Sequence, residues 1–126
     1  MEKLPRISEA EHQVMKVIWN QNPVNSMEII KKLKKSTEWK PNTIKTLLNR
    51  LLTKKAIGFE KNGKEYIYYP LIEEEKYVKA ESRIFLKRLF GGSLMPMLAA
   101  MVESNDLTLE DIEILKKRIM ENKKEG

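Results

Sequence analysis

The sequence contains no cysteine. That excludes disulfide staples, thiolate metal sites and a cysteine nucleophile, and it fits a reducing compartment. The single histidine, His12, leaves no multi-histidine zinc site. No run approaches the roughly 18 apolar residues that would span a bilayer. The opening Met1-Glu-Lys-Leu-Pro-Arg leads into no long apolar stretch, so neither membrane insertion nor a signal peptide is expected. Internal repeats and long linkers are missing as well. No nucleophile–base pair and no cluster of metal-ligating side chains appears, so the expectation is no enzyme, no cofactor and no metal. These absences leave a cytoplasmic binding protein, built as one compact unit or two very small ones.

What is present is charge, unevenly spread. The 126 residues are 41% hydrophobic and 33% charged, with a formal net charge of +6. Residues 1–70 carry +7 and residues 71–126 carry −1, so the whole excess lies in the first part. That is the footprint of a nucleic-acid-binding end joined to a neutral end with another task. A solvated basic surface with no partner has the same charge, so pattern must separate the two. Lysines outnumber arginines 19 to 5, which suits phosphates met as point charges.

The first part reads as three helices and a hairpin. Ser8-Glu-Ala-Glu11 is a capping box, and Ala10, Val14, Met15, Val17, Ile18 and Trp19 continue it as an apolar helical stripe over about Ser8 to Asn20. Asn22-Pro23 ends that helix, and a short extended link follows at Val24. Asn25 or Ser26 can cap a second helix whose apolar face is Ile29, Ile30 and Leu33, with Ser36–Lys40 as a turn. Pro41 suits the first turn of a third helix. Ile44, Leu47, Leu48 and Leu51 form its buried stripe, and Asn42, Thr43, Lys45, Thr46, Asn49, Arg50 and Thr53 form an opposite face free of acidic residues. The period then changes to alternation at Ile57, Phe59, Tyr66 and Tyr68 around Asn62-Gly63, a strong hairpin signal. A two-residue Asn62-Gly63 turn sets Phe59 opposite Tyr66 and Ile57 opposite Tyr68. It also sets Glu60 opposite Glu65, which is unfavourable and points to a longer loop.

Helix, helix, helix and hairpin is the winged helix-turn-helix plan, with the third helix as the recognition helix. Arg50 or Lys45 can donate to guanine, Asn42 or Asn49 can bridge adenine, and a Thr43 or Thr46 methyl can meet a thymine methyl. Lys61 and Lys64 flank the wing tip, apt for phosphate. The candidate DNA-binding residues are therefore Asn42, Thr43, Lys45, Thr46, Asn49, Arg50, Lys61 and Lys64. An RNA-binding winged helix and a plain basic interaction module are the alternatives.

The second part is helical. Glu73–Phe90 carries Tyr77, Ala80, Ile84, Leu86, Leu89 and Phe90 and stops at Gly91-Gly92. Leu94–Val102 is short and very apolar. Thr108 can cap a last helix striped by Ile112, Leu115 and Ile119, with Glu110 and Asp111 at its positive end. An apolar segment too short to be stable alone needs cover. Tyr77, Ile84, Leu94, Leu98, Met101, Ile112, Leu115 and Ile119 are accordingly the candidate dimerisation residues. The fold expected is mostly α with a small β-hairpin wing: residues 1–72 a winged-helix DNA-binding domain, residues 73–126 a helical dimerisation domain.

Several features have plainer readings. His12 lacks partners for a catalytic or ligand role and reads as structural. Trp19 continues a core stripe. Trp39 either staples the recognition helix or lies near a nucleic-acid backbone. Tyr66, Tyr68 and Tyr69 read as wing core. Met95, Met97 and Met101 read as adaptable interface packing rather than a soft-metal box, and Glu73-Glu-Glu75 as a solvated helix start.

Ser8-Glu-Ala-Glu-His-Gln-Val-Met-Lys-Val-Ile-Trp19, Pro41-Asn-Thr-Ile-Lys-Thr-Leu-Leu-Asn-Arg-Leu51, Tyr66-Ile-Tyr-Tyr69, Gly91-Gly92 and Val102-Glu-Ser-Asn-Asp-Leu107 together resemble the penicillinase and methicillin-resistance repressor (BlaI/MecI) family over about residues 7–120. The resemblance implies a homodimer on a dyad duplex operator that represses β-lactam-resistance genes, whether for a β-lactamase or a penicillin-binding protein, with a family-related repressor of unrelated genes as the alternative. It also implies relief when a membrane sensor metalloprotease triggers cleavage in the dimerisation region. The family's scissile Asn-Phe pair falls on Ala100-Met101, which differs at both positions. A copper-sensing branch that uses C-terminal cysteine pairs is excluded by composition. Lys55 stands where the family commonly has a glycine after the recognition helix, which leaves room for a different helix end.

Overall fold

The computed structural model describes residues 4–125. Ser8 opens the first helix, α1 (Glu9–Asn20), through the expected capping box: its hydroxyl accepts from the Glu11 N–H at 3.1 Å, and Glu11 Oε1 accepts from the Ser8 N–H at 2.8 Å. A second box caps α2 (Ser26–Leu33). There Asn25 Oδ1 accepts from the Glu28 N–H at 2.9 Å, and Glu28 reaches back to the Asn25 N–H. Pro41 occupies the first turn of α3 (Pro41–Thr53). Strands β2 (Ile57–Asn62) and β3 (Glu65–Pro70) make the wing.

The extended link at Val24 is a third strand. β1 (Val24–Asn25) pairs antiparallel with β3, Val24 against Tyr68 and Asn25 against Ile67, giving the sheet order β1-β3-β2. Two residues carry no periodicity, so alternation could not announce this strand. The wing also pairs in a different register from the one set by an Asn62-Gly63 turn. Asn62 lies opposite Glu65, Lys61 opposite Tyr66, Glu60 opposite Ile67 and Phe59 opposite Tyr68. Gly63 and Lys64 are the central residues, and Gly63 has φ +66 in the first central position, where glycine is favoured. The shift separates Glu60 from Glu65 and keeps a two-residue connection, so the repulsion is relieved without a longer loop. Because the slip is even, Phe59, Tyr66 and Tyr68 still share one face.

One core holds these pieces together. Val14, Met15 and Ile18 of α1, Val24, Ile29 and Leu33, then Ile44, Leu47, Leu48 and Leu51 of α3, Ala56, Ile57 and Tyr68 are buried in one cluster. Trp39 packs against its edge, so it staples the start of α3. Full burial of each large aliphatic side chain is worth roughly 1.5–3 kcal/mol. At Gly58 a Cβ would come within 2.7 Å of the outer end of the Tyr69 ring, so a larger residue there would push the half-buried Tyr69 side chain aside.

The chain divides into two compact units, residues 1–78 and 79–126. The division falls six residues beyond the expected boundary at 72. The reason lies in the first turn of α4 (Glu74–Phe90). Tyr77 is 5% exposed and stacks on His12 at 5.7 Å and 24°, with Trp19 also 5.7 Å away. Trp19 Nε1–H donates to the Ile72 carbonyl at 3.0 Å, and Lys16 pairs with Glu74 at 3.0 Å. In the second unit α4 stops where Gly91 N–H donates to the Lys87 carbonyl and Gly92 N–H to that of Leu86. α5 (Leu94–Glu103) and α6 (Leu109–Glu125) follow. Thr108 caps α6 with its hydroxyl on the Asp111 N–H at 3.2 Å, while Asp111 accepts from the Thr108 N–H at 3.0 Å. Among the described residues no single helix is long and apolar enough to cross a membrane.

The end of α3 keeps the glycine-type geometry without the glycine. Lys55 has φ +61, and the Ala56 N–H donates to the Leu51 carbonyl at 3.0 Å. A side chain in the left-handed region costs about 1 kcal/mol. Lys55→Gly is therefore expected to raise stability by up to about 1 kcal/mol, reduced by the larger chain entropy of glycine in the unfolded state. Urea unfolding checks it, and a loss of stability would contradict the strain.

Glu11 is 1% exposed and accepts from Lys54 Nζ as well as from Ser8. Burial pushes its carboxyl up from the ordinary value near 4.5, but the hydrogen bonds from Lys54 and Ser8 and the lysine charge together outweigh burial and leave it lowered. A lowered folded pKa contributes stability that is present above the unfolded pKa and lost as pH falls through the folded value. Wild type is thus expected to exceed Glu11→Gln in thermal midpoint at neutral pH, with the gap closing as pH drops below about 4.5. A gap that stays constant down to pH 3 would show that the charge contributes nothing.

Candidate nucleic-acid interface

The core assigns the two faces of α3. With Ile44, Leu47, Leu48 and Leu51 buried, Asn42, Thr43, Lys45, Thr46, Asn49 and Arg50 are all exposed, as expected for a face that reads a groove. The hydroxyls of Thr46 and Thr53 donate back to the carbonyls of Asn42 and Asn49, each at 3.0 Å. Their protons are committed to the helix, so outward they offer a methyl group and oxygen lone pairs. That suits contact with a thymine methyl or a base amino group.

Two concavities divide the candidates. A groove of about 650 Å³ runs between α3 and the wing, lined by Lys45, Asn49 and Leu52 on one side and by Phe59, Lys64, Tyr66, Tyr68 and one carboxylate, Glu65, on the other. Asn25, Ser26 and Met27 at the start of α2 close its end. A shallower depression of about 310 Å³ holds Thr46, Asn49, Arg50, Thr53 and Lys54. Asn49 belongs to both, and so sits between the wing side and the arginine side of the helix. Lys64 occupies the wing tip as expected. Lys61 does not: it stands in β2 opposite Tyr66, with its ammonium 5.9 Å from the Tyr66 ring centre.

Alternation at the wing did not show that Phe59 and Tyr66 would be exposed. They lie against each other at 4.9 Å and remain nearly half accessible. Of the three wing tyrosines only Tyr68 is buried in the core, and burial first, with the neighbouring Tyr66 second, raises its hydroxyl pKa. Asn25, Ser26 and Met27 were missed because their place beside the groove depends on the pairing of β1 with β3, a long-range contact.

The residues expected to dimerise lie mostly in the second unit. Ile84, Leu94, Met101, Ile112, Leu115 and Ile119 are exposed, Ile119 at 60%, and Leu98 is half-buried. Tyr77 is the exception. It is consumed by His12 and Trp19 within the first unit and has no face left for a partner. Ala100 and Met101 are exposed in the last turn of α5, where the Ala100 carbonyl accepts from the C-cap Ser104 and that of Met101 from Asp106 and Leu107 beyond the helix end. Among the described residues no group of three or more His, Cys, Asp or Glu side chains is placed to hold a metal ion.

A family model described as penicillinase repressor matches residues 7–121. The chain belongs to the penicillinase repressor family. It is 41% identical over 123 residues to the "Penicillinase repressor" of Bacillus licheniformis, covering 98% of this chain and 96% of that one. It is 34% identical over 114 residues to the "Methicillin resistance regulatory protein MecI" of Staphylococcus aureus strain N315, covering 90% of this chain and 93% of the relative. Among solved structures, the DNA-binding domain of the repressor BlaI is 47% identical, with a TM-score of 0.55, covering 61% of this chain and 94% of that one. The monomeric form of B. licheniformis BlaI in complex with the blaP half-operator is likewise 47% identical, with a TM-score of 0.54 and the same coverage. The penicillinase repressor family thus has the winged-helix architecture found here.

In a family of repressors, base reading and phosphate contact should separate on this surface. Arg50→Ala is expected to cost roughly 1–3 kcal/mol on a preferred duplex and little on a scrambled one. Lys64→Ala is expected to weaken both duplexes about equally, because phosphate contacts carry little sequence information. Fluorescence anisotropy on the two duplexes checks it. An unchanged preference in Arg50→Ala would make Arg50 a phosphate contact.

Proposed function

We propose that this chain is a DNA-binding repressor of β-lactam-resistance genes that occupies a dyad duplex operator as a homodimer in the cytoplasm. The observation that carries the reading is the exposed face of α3: acid-free, with Asn, Thr, Lys and Arg side chains, and joined to Lys64 of the wing across one groove. Membership of the penicillinase repressor family supplies the class of genes. In this reading α3 lies in the major groove, the wing holds the adjacent backbone, and occupancy of the operator blocks transcription.

The second unit supplies the dimer. Its three helices present Ile84, Leu94, Met101, Ile112, Leu115 and Ile119 to the outside of a single chain. So large an apolar exposure needs a cover, and a second copy is the economical one. Joining two modest DNA-binding heads raises avidity by roughly 10²–10⁴ with no new contact. Relief follows from a cut near Ala100-Met101 after a membrane sensor metalloprotease is triggered. A protease needs an extended strand, so the helical backbone at this bond must unwind before it is cut. Cleavage would separate α6 from the rest and return each head to its single-site affinity.

The test combines sedimentation with binding at several salt concentrations. The full chain is expected to run as a dimer and to bind duplex DNA with log K falling against log salt by about 0.9 for each phosphate met, several units in all. Residues 1–78 alone are expected to be folded, monomeric and weak on the same duplex. A slope near zero, preference for single-stranded RNA, or a monomeric full chain would overturn the reading.

A further inference from the structure

Lys54 follows the last turn of α3 and lines the same depression as Thr46, Asn49, Arg50 and Thr53. By position it would be counted among the cations offered to DNA. Its ammonium points elsewhere: Nζ donates to the Arg6 carbonyl at 2.8 Å and to Oε1 of Glu11. The same carboxylate oxygen accepts from the Ser8 N–H, while its other oxygen, Oε2, is buried with no hydrogen-bond partner among the described residues. One buried carboxylate therefore ties together the segment before α1, the first turn of α1 and the end of α3.

Beside this polar tie, α1 and α3 share one buried apolar cluster, to which α1 gives Val14, Met15 and Ile18 and α3 gives Ile44, Leu47, Leu48 and Leu51. Apolar burial is non-directional and tolerates small slides and rotations. A charge-assisted hydrogen bond to a fixed buried acceptor is directional and does not. A small rotation of α3 would swing Asn49 and Arg50 together relative to the wing, since both follow the helix as a rigid body.

We propose that Lys54 is a positioning residue for the recognition helix, held by Glu11 and withdrawn from DNA, so that the pair sets sequence discrimination rather than phosphate affinity. This rests on the reading that α3 contacts duplex DNA. Glu11 has a second consequence: it removes one cation per head from the nucleic-acid surface and so limits attraction to unrelated sequences.

The experiment uses the full-length chain, a duplex selected by it from a random pool, and a scrambled duplex of equal composition. Binding is measured over a salt series for wild type, Lys54→Met, Glu11→Gln and the double variant, at a temperature where circular dichroism shows each folded. Lys54→Met keeps the aliphatic stem and is expected to lower the selected-to-scrambled affinity ratio roughly tenfold, with the salt slope on scrambled DNA unchanged. Glu11→Gln removes the charge that holds the ammonium, leaving only neutral acceptors, and is expected to lower the ratio while steepening that slope by about 0.9 per head. The double variant removes both charges and leaves no buried carboxylate unpaired. It keeps the test available if Lys54→Met does not fold, and is expected to show the lowered ratio without the steeper slope. A Lys54→Met slope shallower by about 0.9 per head, with both duplexes weakened alike, would make Lys54 an ordinary phosphate contact and overturn the proposal. An unchanged ratio in every variant would overturn it too, leaving the pair purely structural. Wild type with no preference for its selected duplex would overturn the α3 reading and this proposal together.

Discussion

Everything on the proposed DNA-facing side depends on the burial of one stripe of α3 in the core of the first unit. Ile44, Leu47, Leu48 and Leu51 can be covered only if the helix turns Asn42, Thr43, Lys45, Thr46, Asn49 and Arg50 outward. The apolar contact supplies the energy, and its helical period decides which chemistry is shown. Around that contact the directional groups add precision. Pro41 and Trp39 set where the helix begins, the left-handed Lys55 sets where it ends, and Glu11 with Lys54 sets its rotation against α1.

The two units divide the energetic problem. The first closes a small core by itself, with Tyr77 from the start of α4 completing it through His12 and Trp19. The second has no such closure. α5 contains no buried residue, and the stripes of α4 and α6 stay accessible in the single chain. A small domain that cannot bury its apolar surface gains by sharing it with a copy. That is the physical link between composition and regulation in the proposed repressor: whatever opens the shared surface also removes the avidity of paired heads.

Much of this was legible in residue order because local rules and tertiary packing agree. The capping box at Ser8, the proline at the start of α3, the period of its leucines and the Thr108 cap are all short-range signals, and each element appears within a residue or two of its expected place. What escaped was long-range or finely balanced. β1 exists only because Val24 meets Tyr68 more than forty residues later. The wing register turned on whether repulsion between Glu60 and Glu65 would lengthen the loop or shift the pairing, and the chain shifts by placing Gly63 in the first turn position. Tyr77 sits on a helix whose later residues belong to another unit, so its stripe could not reveal that its partners are His12 and Trp19. The recognition-face residues emerge exposed as expected, whereas the role of Lys54 could not be read at all, since a lysine beside a basic face looks like every other one until its ammonium is located.

The central claim is that α3 reads base edges in the major groove of two related half-sites. Methylation interference at guanine N7, on a duplex selected by the full-length chain, addresses this directly, because N7 is exposed only in the major groove. The account predicts interference at guanines in two dyad-related clusters about one helical turn, or a multiple of it, apart on the same face of the duplex. Interference confined to phosphate ethylation, with none at guanine N7 in a selected site that contains guanine, or a single cluster without a dyad mate, would contradict it.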